Sequence, residues 1–188
     1  MQTYLNFFIR PPQALYNVPG YLNPLEGRFL YWRAQRVPPG GIAVEVGSFK
    51  GKSSGFIAAG LSPGARLACI DTWKNDAMPY DSPDDTFPEF RKNIALYHGS
   101  IKAHRGSSSE IAATWALPID LLFIDGDHSY EGCSEDLKAW LGFVRRDGWI
   151  AFHDAGQAGV TRAIAEFFPP AARHSEVRAW SIFAARKR

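Results

Sequence analysis

Five titratable side chains fall in two short stretches, Ile124-Asp125-Gly126-Asp127-His128-Ser129-Tyr130 and Phe152-His153-Asp154. Carboxylates and imidazoles side by side offer general acid–base chemistry, in which one group takes a proton from an incoming nucleophile and a second orients it. The same groups could hold a divalent cation: carboxylates suit hard cations such as magnesium, whereas imidazole suits transition metals better. A second stretch of chemical interest is Val44-Glu45-Val46-Gly47-Ser48-Phe49-Lys50-Gly51-Lys52-Ser53-Ser54. A glycine turn between a strand and a helix exposes backbone N–H groups to a ligand.

The elements that must position these groups alternate from Ile42 onward between short strand-like runs and longer amphipathic stretches, the pattern of β-α units winding a parallel sheet. Seven strands are predicted, at residues 42–46, 66–70, 100–104, 119–124, 149–152, 175–179 and 181–185. Runs such as Leu121-Leu122-Phe123-Ile124 suit strands covered by helices on both faces. Residues 130–144 place Cys133, Leu137, Trp140, Leu141 and Val144 on one helical face, and residues 159–168 repeat the pattern before Pro169-Pro170 stops it. Little chain separates the last two strands, so they must form an antiparallel hairpin, with one strand reversed in an otherwise parallel sheet. All five titratable groups then lie at the C-terminal ends of the fourth and fifth strands, where open α/β sheets bind their ligands.

Three ligand classes use a glycine turn of this kind. A phosphate-binding P-loop needs a glycine four residues before the Gly51-Lys52 pair with four residues between; Val46 stands there, and Gly47 leaves the nest too short. A dinucleotide turn wants Gly-x-Gly-x-x-Gly, but Glu45 occupies the first glycine position and would repel a pyrophosphate. A zwitterionic ligand turns that carboxylate into an attraction, and S-adenosylmethionine is such a ligand. Asp71 ends the second strand 20 residues beyond Gly51, where an acidic side chain accepts hydrogen bonds from both ribose hydroxyls.

Together, Glu45 to Ser53, Ile70-Asp71-Thr72-Trp73, Ile124 to Tyr130 and Phe152-His153-Asp154 resemble the class I S-adenosylmethionine-dependent methyltransferases. More narrowly they resemble the small family that includes sugar and natural-product O-methyltransferases. The resemblance runs from about residue 25 to 154. It implies a Rossmann-like fold, with a seven-stranded, mostly parallel sheet whose last strand is reversed and helices on both faces. It places Gly47, Ser48 and Gly51 against the methionine moiety, with Glu45 near its ammonium. Asp71 would hold the ribose, Thr72 or Trp73 would flank the adenine, Ser107 and Ser108 would approach it from the other side, and Ser53 and Asp125 would also bind the cofactor. Trp73 also reads as a core aromatic, and the two serines as a helix N-cap. Some relatives with this motif order are magnesium-dependent, and the positions matching their ligands are Asp125, His153 and Asp154, His153 being a departure from an acidic pair. Without a metal, His128 or Asp127 would be the general base and His153 a second proton acceptor or a hydrogen-bonding group. Asp127 also reads as a cap for the helix that starts near Tyr130.

Composition bounds the rest. In 188 residues, 46% hydrophobic and 21% charged, there is one packed core's worth of apolar side chains and no apolar run of membrane-spanning length. A net charge of +2 gives no argument for nucleic acid, and Cys69 and Cys133 make no metal spacing and read as buried thiols of a reducing compartment. The start carries no basic segment ahead of an apolar one, so a cytoplasmic location is the expectation. Residues 1–40 form an aromatic, proline-broken leader with one helix at 25–35, expected to pack across an edge of the sheet of a cofactor-binding domain at 41–188. The expected activity is methyl transfer to a hydroxyl of a small-molecule acceptor. A silent cofactor-binding module and a nucleotide-binding enzyme are the competing readings. The acceptor must be held by the leader, by a surface loop at 74–85, or by a second subunit of a homo-oligomer.

Overall fold

The computed structural model describes residues 10–74 and 85–188. Most of the loop expected at 74–85, and Tyr4, Phe7 and Phe8 of the leader, lie outside these residues. Seven strands form one sheet: β1 (Ile42–Val46), β2 (Arg66–Asp71), β3 (Ile101–Arg105), β4 (Ile119–Ile124), β5 (Val144–Phe152), β6 (Arg173–Ala179) and β7 (Ile182–Lys187). Their order is β3-β2-β1-β4-β5-β7-β6. β7 pairs antiparallel with both β5 and β6, while the pairings of β1, β2, β3, β4 and β5 among themselves are parallel. The reversed last strand and its hairpin are as the sequence predicts. The order switches direction between β1 and β4, so the crevice beyond their C-terminal ends opens there.

Helices cover both faces because each strand alternates apolar side chains across the sheet. On one face, Ala43, Leu67, Cys69, Leu121 and Phe123 pack against α1 (Pro24–Ala34), α2 (Lys52–Gly60) and α3 (Phe87–Asn93). On the other, Val44, Val46, Ile70, Leu122, Ile124 and Phe152 meet α4 (Ser108–Ala113), α5 (Tyr130–Trp140) and α6 (Ala158–Phe167).

Two expectations change. The leader's helix lies on a face of the sheet: α1 packs along α2, with Phe29 and Leu30 in the same apolar cluster as β1 and β4. Gly27 permits this closeness, since a Cβ there would come within 2.7 Å of the Phe56 ring. The helix at 130–144 ends at Trp140, followed by a single 3-10 turn and then β5, which starts five residues before the strand expected at 149. Arg145-Arg146-Asp147-Gly148 lies between the expected helix and the expected strand. The chain passes through it with Asp147 at φ +62° and a break in register against β4, and so stays in the sheet.

Candidate active site

A cleft of about 910 Å³ opens at the C-terminal ends of β1, β2, β4 and β5. Its wall begins with the turn after β1. Gly47 holds φ +84°, and a Cβ there would run into the carbonyl oxygen of Asp125, so only glycine lets this turn pass so close to the end of β4. Asp71, at the end of β2, ties the turn down: its Oδ2 accepts from the backbone N–H of Ser48 at 2.8 Å and of Phe49 at 2.7 Å. Asp71 itself faces the cleft, with Thr72, Ser107 and Ser108 beyond it.

Of the residues singled out in sequence for cofactor binding, Gly47, Ser48, Ser53, Asp71, Thr72, Ser107, Ser108 and Asp125 line this cleft. Glu45, Gly51 and Trp73 are not part of its wall, which corrects three expectations. Glu45 is fully buried under the turn, where its Oε2 accepts from Ser48 Oγ at 2.8 Å, from Ser54 Oγ and from Cys69 Sγ at 3.4 Å. The physical reason is the strand's period of two: Val44 and Val46 face α5, so Glu45 must face α2. Burial pushes its carboxyl up to about 6 despite the hydrogen bonds it accepts from Ser54, Ser48 and Cys69. Gly51 begins α2 at φ +85°, where a Cβ would meet Ile94 at 2.8 Å and the Phe90 ring at 3.1 Å, so it serves packing. Trp73 is the core aromatic: its ring lies against Phe87 and Phe90, and its Nε1 donates to the Phe49 carbonyl at 2.9 Å.

The other end of the cleft gathers the titratable groups. Asp125, Asp127, His128, His153 and Asp154 all line it. His153 Nδ1 lies 3.0 Å from Asp125 Oδ1, and its Nε2 lies 3.2 Å from Glu26 Oε2. Burial disfavours charge on the His153 ring, but the hydrogen bonds to Asp125 and Glu26 and their negative charges outweigh it and raise the imidazole to about 10. His128 Nε2 is 3.4 Å from the same Asp125 oxygen. Its Nδ1 is 3.2 Å from Gln157 Nε2, which in turn donates to Asp154 Oδ2 at 2.9 Å. The hydrogen bond with Asp125 raises the His128 imidazole above its ordinary value, against burial. Asp127 accepts from the N–H of Ser129 at 2.9 Å and from its hydroxyl at 2.8 Å. Ser129 is the N-cap of α5, so Asp127 braces the cap without being it.

Glu26 went unnoticed in the sequence. It closes a capping box on Asn23, whose backbone N–H donates to its Oε2 at 2.8 Å. It also binds His153 across 127 residues and accepts from Ser181 N–H at 3.1 Å and Ser181 Oγ at 2.6 Å. Asn23-Pro24-Leu25-Glu26 is legible as a helix start, but nothing local foretells the histidine. Pro19 to Leu22, just before that cap, form part of the cleft wall.

Among the described residues, Asp125, His128 and His153 each offer a donor atom within 4.8 Å of the others, and Asp154 Oδ2 is 3.6 Å from His128 Nδ1. Two imidazoles with carboxylates fit a transition-metal cation better than magnesium, which prefers oxygen ligands and water. Glu26 suits that fit as well, since a carboxylate on the far nitrogen is the usual support of a metal-binding imidazole. Of the three positions expected to hold a cation, Asp125 and His153 fall in this group, Asp154 does not, and His128 does.

Comparison with known proteins agrees with this geometry. Residues 44–155 match the family described as a methyltransferase domain. The fold is similar to that of the O-methyltransferase TomG of Streptomyces achromogenes, solved with S-adenosylmethionine, at a TM-score of 0.71 and 17% identity over 98% of this chain and 94% of that one. It is also similar to an O-methyltransferase of Bacillus cereus solved with S-adenosylhomocysteine, at 0.68 and 17% over 98% and 96%, and to the Podospora anserina methyltransferase PaMTH1, at 0.73 and 15% over 94% and 88%. The family match spans more than half of the 188 residues, and the chain belongs to the class I S-adenosylmethionine-dependent methyltransferases.

Proposed function

We propose that this methyltransferase moves a methyl group from S-adenosylmethionine to a hydroxyl of a small molecule. The observation that carries the reading is one cleft with the Asp71 carboxylate at one end and the Asp125–His128–His153–Asp154 cluster at the other. Gly47 and Ser48 would hold the methionine part through backbone approach, Asp71 the ribose hydroxyls, and Thr72 with Ser107 and Ser108 the adenine. The sulfonium methyl then faces the cluster. In-line displacement needs the acceptor oxygen held roughly 3 Å from that methyl and its proton taken away.

His128 is the group suited to take the proton. It is half-buried at the cleft wall, its Nε2 is loosely engaged at 3.4 Å, and Asp125 favours the charged form it acquires. His153 is not the second base. With a proton on each ring nitrogen it donates to Asp125 and Glu26, and with a cation at Nδ1 the Glu26 contact keeps the other proton in place. Asp127 spends its carboxylate on Ser129. In the alternative with a transition-metal cation bound, Asp125, His128 and His153 would hold it, and the cation, in place of a free His128, would acidify the acceptor hydroxyl. Tyr21 and Leu22 from the leader wall the cleft beside Phe49, and Tyr21 stacks on that ring at 6.1 Å, so the acceptor meets an aromatic surface there.

Labelled S-adenosylmethionine, incubated with the protein and a panel of phenols and sugars, with manganese and with EDTA, tests the reading. Label transferred to an acceptor oxygen supports it; binding without transfer to any acceptor points to a cofactor-binding module instead.

A further inference from the structure

Asp136 is a buried acid to which methyl transfer assigns no task. It sits on α5 with only 6% of its surface exposed, yet it lines the cleft beside Ser108 and Gly126. It reaches the cleft because residue 126 is glycine: a Cβ there would lie 3.0 Å from Asp136 Oδ2. A short relay fixes its orientation. Trp140 Nε1 donates to Ser108 Oγ at 2.7 Å, so the one hydroxyl proton of Ser108 is left for an acceptor, and Asp136 takes it. A carboxylate has about four acceptor sites, and Ser108 fills one.

Burying a carboxylate is costly without donors, and burial pushes the Asp136 carboxyl up to about 6, which still leaves it ionised at neutral pH. The wall around it is built from Gly106, Ser107, Ser108 and Gly126, short side chains that leave room for a flat ring. This is the end of the cleft at which the cofactor reading puts the base of S-adenosylmethionine, between Thr72 and the two serines.

We infer that Asp136 selects the adenine ring of the cofactor, its carboxylate accepting a hydrogen bond from the exocyclic 6-amino group. The inference rests on the cofactor reading above and deepens it by naming the group that tells adenine from a purine without that amine. Trp140 is the positioning residue, since it touches Ser108 and is not part of the cleft wall, whereas Ser108 both fixes the carboxylate and borders the ring.

Titration calorimetry with two ligands tests it: S-adenosylhomocysteine and its analogue with hydrogen in place of the 6-amino group. A hydrogen bond to a charged acceptor predicts that the wild-type protein prefers the amine-bearing ligand by about 10- to 100-fold. In Asp136→Ala the preference falls to within about 2-fold, because the loss falls on the amine-bearing ligand. Asp136→Asn, which keeps the shape and a neutral acceptor, lies between. Equal wild-type affinity for the two ligands overturns the inference without any variant, as does an unchanged preference in Asp136→Ala. A wild-type protein that binds neither ligand instead removes the cofactor reading on which the inference stands.

Discussion

Replacing Glu45 by glutamine separates a structural carboxylate from a ligand-binding one. Glu45 is fully buried, and burial lifts its carboxyl from 4.5 to about 6. The folded protein therefore binds this proton more tightly than the unfolded chain does. Below pH 4.5 the group costs nothing; as pH rises through 6, ionisation in the folded state becomes a penalty that then stays constant. At 1.36 kcal/mol per pKa unit the full penalty is about 2 kcal/mol, and most of it is absent at pH 4.5. In Glu45→Gln the amide oxygen can take over the hydrogen bonds that Oε2 accepts, while the NH2 replaces Oε1, a buried atom without a partner. An orphaned donor replaces an orphaned acceptor, so that exchange is close to neutral. Urea unfolding of both proteins at pH 4.5 and pH 8 should show the variant gaining about 1 to 2 kcal/mol relative to wild type between the two pH values. Affinity for S-adenosylhomocysteine should stay within about 3-fold, because the carboxylate is not part of the cleft wall; an ion pair with the ligand's ammonium would instead cost about 10-fold or more. A stability difference independent of pH, or a tenfold loss of affinity, refutes the reasoning.

The other predictions concern the cleft itself. Gly47→Ala forces a side chain at φ +84° into the Asp125 carbonyl, so thermal unfolding should show a loss of at least about 2 kcal/mol and calorimetry a loss of ligand binding. Glu26→Ala strips His153 and Ser181 of a buried partner, and should cost about 3–5 kcal/mol in urea unfolding, whereas Asn23→Ala, which removes only the cap, should cost about 1 kcal/mol. His128→Gln should lower methyl transfer by about 10²–10⁴-fold while S-adenosylhomocysteine affinity, read by calorimetry, stays within about 3-fold of wild type.

Much of this architecture was legible in the residues because the relevant physics is local. Strands β1 and β4 carry apolar runs bounded by turn residues, and their limits match the expectation at both ends. The hairpin of β6 and β7 follows from how little chain lies between two strands. The site was legible where a residue's place at a strand end decides its exposure, as for Asp71, Asp125 and His153. It was misread where the face of the strand decides it. Glu45 is one residue before the end of β1, and the alternation with Val44 and Val46 already places it on the far side from the α5 face. Trp73 follows the end of β2, but Phe87 and Phe90, which bury its ring, come 14 and 17 residues later in the chain. Glu26 could not be found from spacing, because its partner His153 is 127 residues away and only the packing of α1 on the sheet joins them.

The account stands on where the cofactor lies. A crystal structure with S-adenosylhomocysteine bound is the most direct measurement: it should show the ribose hydroxyls on Asp71 and the sulfur turned toward His128 and Asp125. A ligand found outside this cleft, or one whose ribose points away from Asp71, contradicts it.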